Sequence, residues 1–275
     1  MKIEQIDVTK LKPFTNHPFK IRQDSELAQM TESIRDFGVI TPILARPMEG
    51  GYEVISGHRR LAICKELAIE TVPVIVREMT NEEAVIAMVD SNLQRENVLP
   101  SEKAFAYKMK LEAIKHQGKT TFRQVVGKLE SADLISNGES GRQIQRYIRL
   151  TELTPDILQM VDEGKIAFNP AVELSYLSHD EQKALLNIMQ MEDCTPSHSQ
   201  AIRLKKLSQE GRLNNSQITE IISEPKPNQQ EQYKFKREDV RKYFPKSYSD
   251  KQVYDAVFKA LEMLKRQRER SKDAR

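Results

Sequence analysis

Strand signals in this chain nearly vanish from Asn81 onward, and that asymmetry limits its fold more than any other feature. Short β-branched runs occur at Ile3 to Val8, which ends at the breaker Lys12-Pro13, and at Ile43 to Arg46, Tyr52 to Ile55 and Thr71 to Val76. Gly50-Gly51 between the second and third predicts a tight turn joining paired strands, and Pro73 inside the fourth predicts an edge position because proline cannot donate to a ladder. Asp24 predicts the cap of a helix in which Leu27, Met30, Ile34 and Phe37 recur three and four residues apart, with Gly38 placed to end it. Another helix is predicted from His58 to Ala68. Sequences that segregate strands from helices in this way belong to the α+β class: here a small mixed α/β N-terminal domain followed by an all-helical region.

Beyond residue 80 the apolar period is helical throughout. Asn81 predicts the cap of a helix running to Val89, and Ser101 that of another with Ala104, Tyr107, Leu111 and Ile114 on one stripe. The polar stretch Asp90 to Glu96 reads as the connection between them. From Thr154 to Ile222 helices are expected to open at Pro155, Asn169-Pro170, Asp180 and Thr195-Pro196, with Gly164 and Gly211 as stops. Ser223 to Gln232 holds two prolines and no apolar periodicity, and reads as a linker. A last helix from Ser249 carries Val253, Val257, Leu261 and Leu264, a narrow stripe suited to a second copy of itself. The domain plan is therefore 1–100, 101–222, linker 223–232, and a C-terminal dimerisation and basic segment 233–275.

Charge and cysteine content narrow the function. The net charge of the 275 residues is only +3, yet residues 234–275 hold 14 Lys and Arg against 7 Asp and Glu, and residues 115–149 hold seven against three. Such clusters suit nucleic acid, whose counterions they displace. No apolar run is long enough to span a membrane and the N-terminus lacks the apolar core of a secretory signal, so a cytoplasmic, nucleoid-associated location is expected. Cys64 and Cys194 stand apart with no CxxC or Cys/His cluster near either, which argues against a disulfide framework or a zinc site.

Two stretches carry binding chemistry. In Ser56-Gly57-His58-Arg59-Arg60, two arginines fall in the first turn of a helix, where unsatisfied amides and the macrodipole already place positive potential. A bound phosphate resolves that misfit through the amides and the guanidinium forks; pairing with nearby acids, or splaying into water, is the alternative. The second stretch, Asp90 to Glu96, offers amide and carboxylate oxygens for Mg²⁺ and an arginine for phosphate, or else is a solvated connection. Further on, Phe122, Val125, Val126 and Leu129 predict a short helix, the connection Glu130 to Glu139 leaves room for an extra helical turn at Asp133 to Ser136, and Ser140 caps a helix with Ile144, Tyr147 and Ile148 inward. Its other faces carry Arg142, Gln143, Gln145, Arg146 and Arg149. Arg and Gln read guanine and adenine edges bidentately, so this is a candidate recognition helix of a helix-turn-helix; a basic helix facing solvent is the alternative.

Taken in order, Gly57-x-Arg59-Arg60, a helix, a strand, a helix and Asn92-Leu93-Gln94-Arg95 resemble the N-terminal domain of the ParB partition proteins. The resemblance extends upstream through Asn16 to Arg22 and Gly38 to Ile43, and downstream through Pro100-Ser101-Glu102 to Tyr107. It implies a CTP- and Mg²⁺-binding, sequence-specific DNA-binding protein that loads at a palindromic centromere-like site and closes as a dimeric sliding clamp, with a ParA-type ATPase as a further partner. It also implies the site: Gly57, Arg59 and Arg60 on the triphosphate, Thr41 beside the base, Asn92 on the metal and Arg95 on phosphate. His58 where the family usually has Glu, Ala62 for a third arginine, Ser91 for the Glu before Asn92 and Thr41 for a common Gln depart from the pattern, and those at Ala62 and Ser91 bear on hydrolysis more than on binding. Sulfiredoxins and some small-molecule kinases share this N-terminal fold. Gly57 stands where the sulfiredoxin cysteine belongs, which removes that nucleophile, and a kinase leaves Arg142 to Arg149 without a role. A nucleotide-independent transcription regulator or nucleoid-associated protein remains the other alternative.

Overall fold

A computed structural model of the chain describes residues 2–95, 97–117, 139–224, 240–245 and 247–273. Met1–Glu224 and Pro225–Arg275 form two separate compact units.

In the first unit, β1 (Ile3–Asp7), β2 (Leu11–Lys12), β3 (Ile43–Met48), β4 (Gly51–Ser56) and β5 (Thr71–Val76) make one sheet in the order β1-β5-β3-β4-β2. The β3–β4 hairpin turns at Gly50 and Gly51, both at positive φ, as the glycine pair predicts. β5 is not the edge strand that Pro73 suggested. It lies between β1 and β3, with Pro73 opposite Gln5, and its parallel ladder to β3 begins only at Val74. The missing N–H therefore falls just before the second ladder starts, which is how proline is tolerated inside the sheet.

Helix α1 (Ser25–Phe37) is capped by Asp24, which accepts the Leu27 amide at 2.7 Å, and Gly38 at φ 69° ends it. Leu27 and Ile34 are buried against the sheet with Ile43, Val54, Val72 and Val74, together with Leu61, Ile63 and Cys64 of α2 (His58–Glu66). Phe37, read as part of the same stripe, is instead 74% exposed. It is the last residue of α1, where the chain turns away at Gly38.

Helix α3 (Asn81–Leu93) is capped by Thr80 rather than Asn81, in a capping box with Glu83. It also continues four residues beyond the predicted end at Val89. Asp90 to Leu93 are thus helical, held by the burial of Met88, Val89, Asn92 and Leu93. Helix α4 (Pro100–Gln117) starts at its proline, and Ser101 sits inside the first turn, its hydroxyl donated to Asp162 at 2.5 Å instead of capping.

The helices expected over Phe122 to Leu129 and Asp133 to Ser136 lie outside the described residues, as does most of the linker. The chain continues with α5 (Gly141–Arg149), α6 (Pro155–Asp162), α7 (Phe168–Leu174), α8 (His179–Met191), α9 (His198–Gln209) and α10 (Asn215–Ser223). Caps at Ala167, Ser178 and Ser197 replace the predicted openings at Asn169-Pro170, Asp180 and Thr195-Pro196; Ser178 and Ser197 each accept an N3 amide whose Glu or Gln side chain reaches back, which fixes the start locally. Ser223, assigned to the linker, is the last residue of α10.

No break follows residue 100. Ile144 of α5 packs with Phe14, Ile55, Met88 and Tyr107, so one core runs from the sheet into the helical region. A second core, with Leu150, Ile157, Leu174, Leu185 and Leu204, continues through α6 to α10. In the second unit, α11 (Asp250–Asp273) buries Val253 but leaves Tyr254, Phe258, Leu261 and Leu264 at least half exposed.

Candidate nucleotide and DNA sites

Gly57 ends β4 and caps α2 at φ 108°, and a Cβ there would come within 3.2 Å of the Ile43 side chain and 3.3 Å of the Arg60 guanidinium. The glycine is required by the protein's own close packing, before any ligand is considered. The two arginines after it diverge. Arg60 turns toward the start of β3, donating to the Thr41 carbonyl and, at 2.7 Å, to the Pro42 carbonyl. Burial presses its guanidinium below the usual range, but arginine stays charged. Arg59 points the other way and donates to Asp24 at 2.7 Å and Glu26 at 3.1 Å, with its Nε buried and unpartnered. Pairing with nearby acids, the alternative to a bound phosphate, is therefore the arrangement seen for Arg59.

Arg59 opens onto a cavity of about 280 Å³ lined by Lys20, Arg22, Asp24, Glu26, Arg95 and Glu102, among others. Four cations face three carboxylates there. Such a mixture stays together because each carboxylate orients a guanidinium or an amide, and an incoming polyanion can take the donors over. Arg95 belongs to the connection after α3; burial and the neighbouring Arg59 charge both press its guanidinium downward, so two positive groups converge there. Glu102, buried in the first turn of α4, accepts the Lys20 amide at 3.0 Å, Arg22 at 2.6 Å and the Leu99 amide at 3.1 Å. It holds one wall of the cavity closed onto the loop before α1.

The structure thus brings Arg59 and Arg95 into one cavity, while Thr41, Gly57 and Arg60 are joined to one another through the Arg60 contacts and are not among the residues lining it. Asn92 is 2% exposed on α3. Its amide donates to the Met88 carbonyl at 2.8 Å and its Oδ1 is buried without a partner, an acceptor free for a cation. Asn92 does not line the cavity, and no group of three His, Cys, Asp or Glu residues positioned for a metal occurs among the described residues. Ser91 donates its hydroxyl to the Met88 carbonyl. Lys20, Arg22, Glu26 and Glu102 line the cavity although sequence reasoning assigned them no role; the Lys20–Arg22 pair is a visible charge signal, but a loop gives no periodicity to say where it points. His58 is 7% exposed, stacks on His17 at 4.0 Å and accepts the Phe14 amide at 3.2 Å. Burial, with help from His17 and Arg95, lowers its pKa to about 3, so it is neutral. Cys64 is buried, and burial raises its thiol pKa, the opposite of an activated nucleophile.

On α5, capped by Ser140 through the Gln143 amide, the candidate DNA readers separate in the same way. Arg142 and Gln145 are exposed. Arg146 lies over the Phe168 ring at 5.0 Å and donates to Asn169 at 2.6 Å and Gln143 at 3.1 Å. Arg149 is committed to Ser175, donating to its carbonyl at 2.7 Å, and stacks on Tyr176 at 4.2 Å.

Residues 1–93 match the ParB N-terminal domain. Stage 0 sporulation protein J of Bacillus subtilis is 33% identical over 168 residues, 60% of this chain and 54% of that protein. A nucleoid occlusion protein of Halalkalibacterium halodurans is 30% identical over 191 residues, 69% and 63% respectively. The chain thus covers between half and two thirds of the length of these relatives. Among solved structures, the C-terminally truncated chromosome-partitioning protein ParB from Caulobacter crescentus complexed to the centromeric parS site matches 80% of this chain and 98% of that one, at 18% identity and a TM-score of 0.42.

Proposed function

We propose, on the match of residues 1–93 to the ParB N-terminal domain, that the chain is a partition protein that binds a palindromic centromere-like DNA site and is gated by CTP. The observation that carries this reading is the convergence of Arg59 and Arg95 on one cavity in the same compact unit as a helix presenting Arg142 and Gln145 outward. Arg59, Arg95, Lys20 and Arg22 would hold a triphosphate in this cavity, with Arg59 giving up its pairing to Asp24 and Glu26. Arg60 holds the Thr41–Pro42 segment that flanks the base. Mg²⁺ would supply neutralisation of phosphate charge and, since magnesium usually keeps waters, would need few protein ligands; Asn92, whose orphaned Oδ1 is buried outside the cavity lining, is the residue proposed to hold it. Ser91 cannot supply a carboxylate to a metal or an attacking water, so turnover is expected to be slow or absent.

Closure as a clamp requires two copies. The exposed apolar residues of α11 support a dimer, and a two-fold protein suits a palindromic site. A ParA-type ATPase is a further proposed partner. The test is calorimetric titration with CTP, ATP, GTP and UTP, with and without a duplex enriched by selection from a random pool. A preference for CTP that depends on Arg59 supports the reading, and equal or absent binding of all four refutes its nucleotide half. One observation favours the nucleotide-independent regulator: Arg59 already has two carboxylate partners, and in that reading it is a structural residue.

A further inference from the structure

Glu139 immediately precedes the Ser140 cap of α5, yet its carboxylate does not serve its own helix. One oxygen accepts the Lys103 ammonium at 2.7 Å and the other the Tyr107 hydroxyl at 3.1 Å, both from the first two turns of α4. Burial by itself would lower the Lys103 pKa, but the hydrogen bond and charge of Glu139 outweigh it and raise it. Lys103 also lies over the Tyr147 ring at 5.1 Å, and Tyr147 stands between Tyr107 and Phe168, 5.9 and 4.7 Å from them. The Tyr107 hydroxyl belongs to a side chain only 1% exposed, and a buried hydroxyl without its acceptor is costly.

Apart from the buried Gly141, the other attachments of α5 among the described residues lie further along: Ile144, Tyr147 and Ile148 in the core, Arg146 on Asn169 and Phe168, and Arg149 at its end. Among the described residues, the first turn is otherwise anchored only through the packing of the buried Gly141, and Arg142 and Gln143 sit in that turn, so loss of Glu139 leaves it freer to pivot. We propose that Glu139 is a positioning residue that pins the first turn of the recognition helix to α4 and so sets the aim of Arg142 and Gln143 at DNA bases. This rests on reading α5 as the DNA-recognition helix. Backbone contacts to phosphate tolerate a pivot better than bidentate base contacts do, so loss of the pin costs discrimination before it costs affinity.

The experiment compares full-length parent, E139A, E139Q and the charge swap K103E/E139K in two readouts: amide hydrogen exchange, and enrichment of sequences from a duplex pool with a randomised central segment. In E139A, exchange protection of residues 143–146 is expected to fall relative to α8, and enrichment to drop about ten-fold, with binding of the unselected pool near that of the parent. E139Q keeps an acceptor for Tyr107 but not the ion pair and should fall between, and the swap should restore part of both signals. Unchanged protection in E139A, or an equal loss in α5 and α8, overturns the proposal. If the parent enriches no sequence while E139A still loses protection locally, the DNA reading fails and the positioning role stands.

Discussion

At the scale of single residues the decisive group is Arg59, because its partners in the structure are acids that a ligand must displace. Arg59→Ala should nearly abolish CTP binding, since each charge-assisted hydrogen bond to phosphate is worth ~1.5–3 kcal/mol, while binding of the DNA site survives. Glu26→Gln should act in the opposite direction, tightening CTP a few-fold by removing a competitor for the same guanidinium; calorimetry on both variants checks the pair. His58 makes a prediction about pH. Its folded pKa, about 3, lies below the ordinary imidazole value of 6.5, so between those values the unfolded chain binds the extra proton. Stability is then complete above 6.5 and falls as pH drops toward 3, at up to about 1.4 kcal/mol per pH unit from this group. Urea unfolding at pH 7 and pH 5 should show a smaller difference in His58→Gln than in the parent. An equal difference would assign the pH dependence elsewhere.

At the scale of elements, α5 divides its arginines by task. Arg142 is exposed, and Arg142→Ala should relax base discrimination by ~1–3 kcal/mol if it reads a base. Arg149 ties α5 to the end of α7 through the Ser175 carbonyl and the Tyr176 ring. Arg149→Ala should instead lower the unfolding midpoint of the protein and weaken specific and random DNA alike, and retention of parent stability with selective loss of one sequence would reverse that assignment. Sequence pattern alone showed α5, its Ser140 cap and its inward Ile144. It did not show which arginine is exposed, because that depends on where Ser175, Tyr176, Phe168 and Asn169 arrive from a later helix.

For the whole molecule, the two compact units divide the expected chemistry. Residues 233–275 should dimerise independently through α11, where Tyr254, Phe258, Leu261 and Leu264 stand exposed at three- and four-residue spacing. Sedimentation of that segment at high micromolar concentration checks this: a monomer with the stripe intact counts against the dimer. Removing the residues after Lys265 should flatten the salt dependence of DNA binding and leave site preference intact, because lost phosphate contacts reduce the salt slope uniformly across sequences.

What the sequence alone determined is whatever depends on neighbours along the chain. Hydrophobic period, Asp24 and Ser140 as caps, Gly38 as a stop, the Gly50-Gly51 hairpin and the ordered Gly57-x-Arg59-Arg60 and Asn92 to Arg95 motifs are all local, and they were sufficient for the α+β class and for the likeness of residues 1–93 to the ParB N-terminal domain. Tertiary structure decided what depends on residues far apart. Pro73 could enter an interior strand because the β3 ladder starts one residue later; Asp90 to Leu93 stayed helical because Leu93 and Asn92 found a core; Arg59 and Arg60 diverged because Asp24 and Glu26 lie on one side and the Thr41–Pro42 carbonyls on the other. Lys20, Arg22 and Glu102 came to line the cavity with Arg59 by the same route. Adjacent side chains carry equal charge in the sequence, and only the groups that long-range packing brings to each of them decide which one is free to meet a ligand.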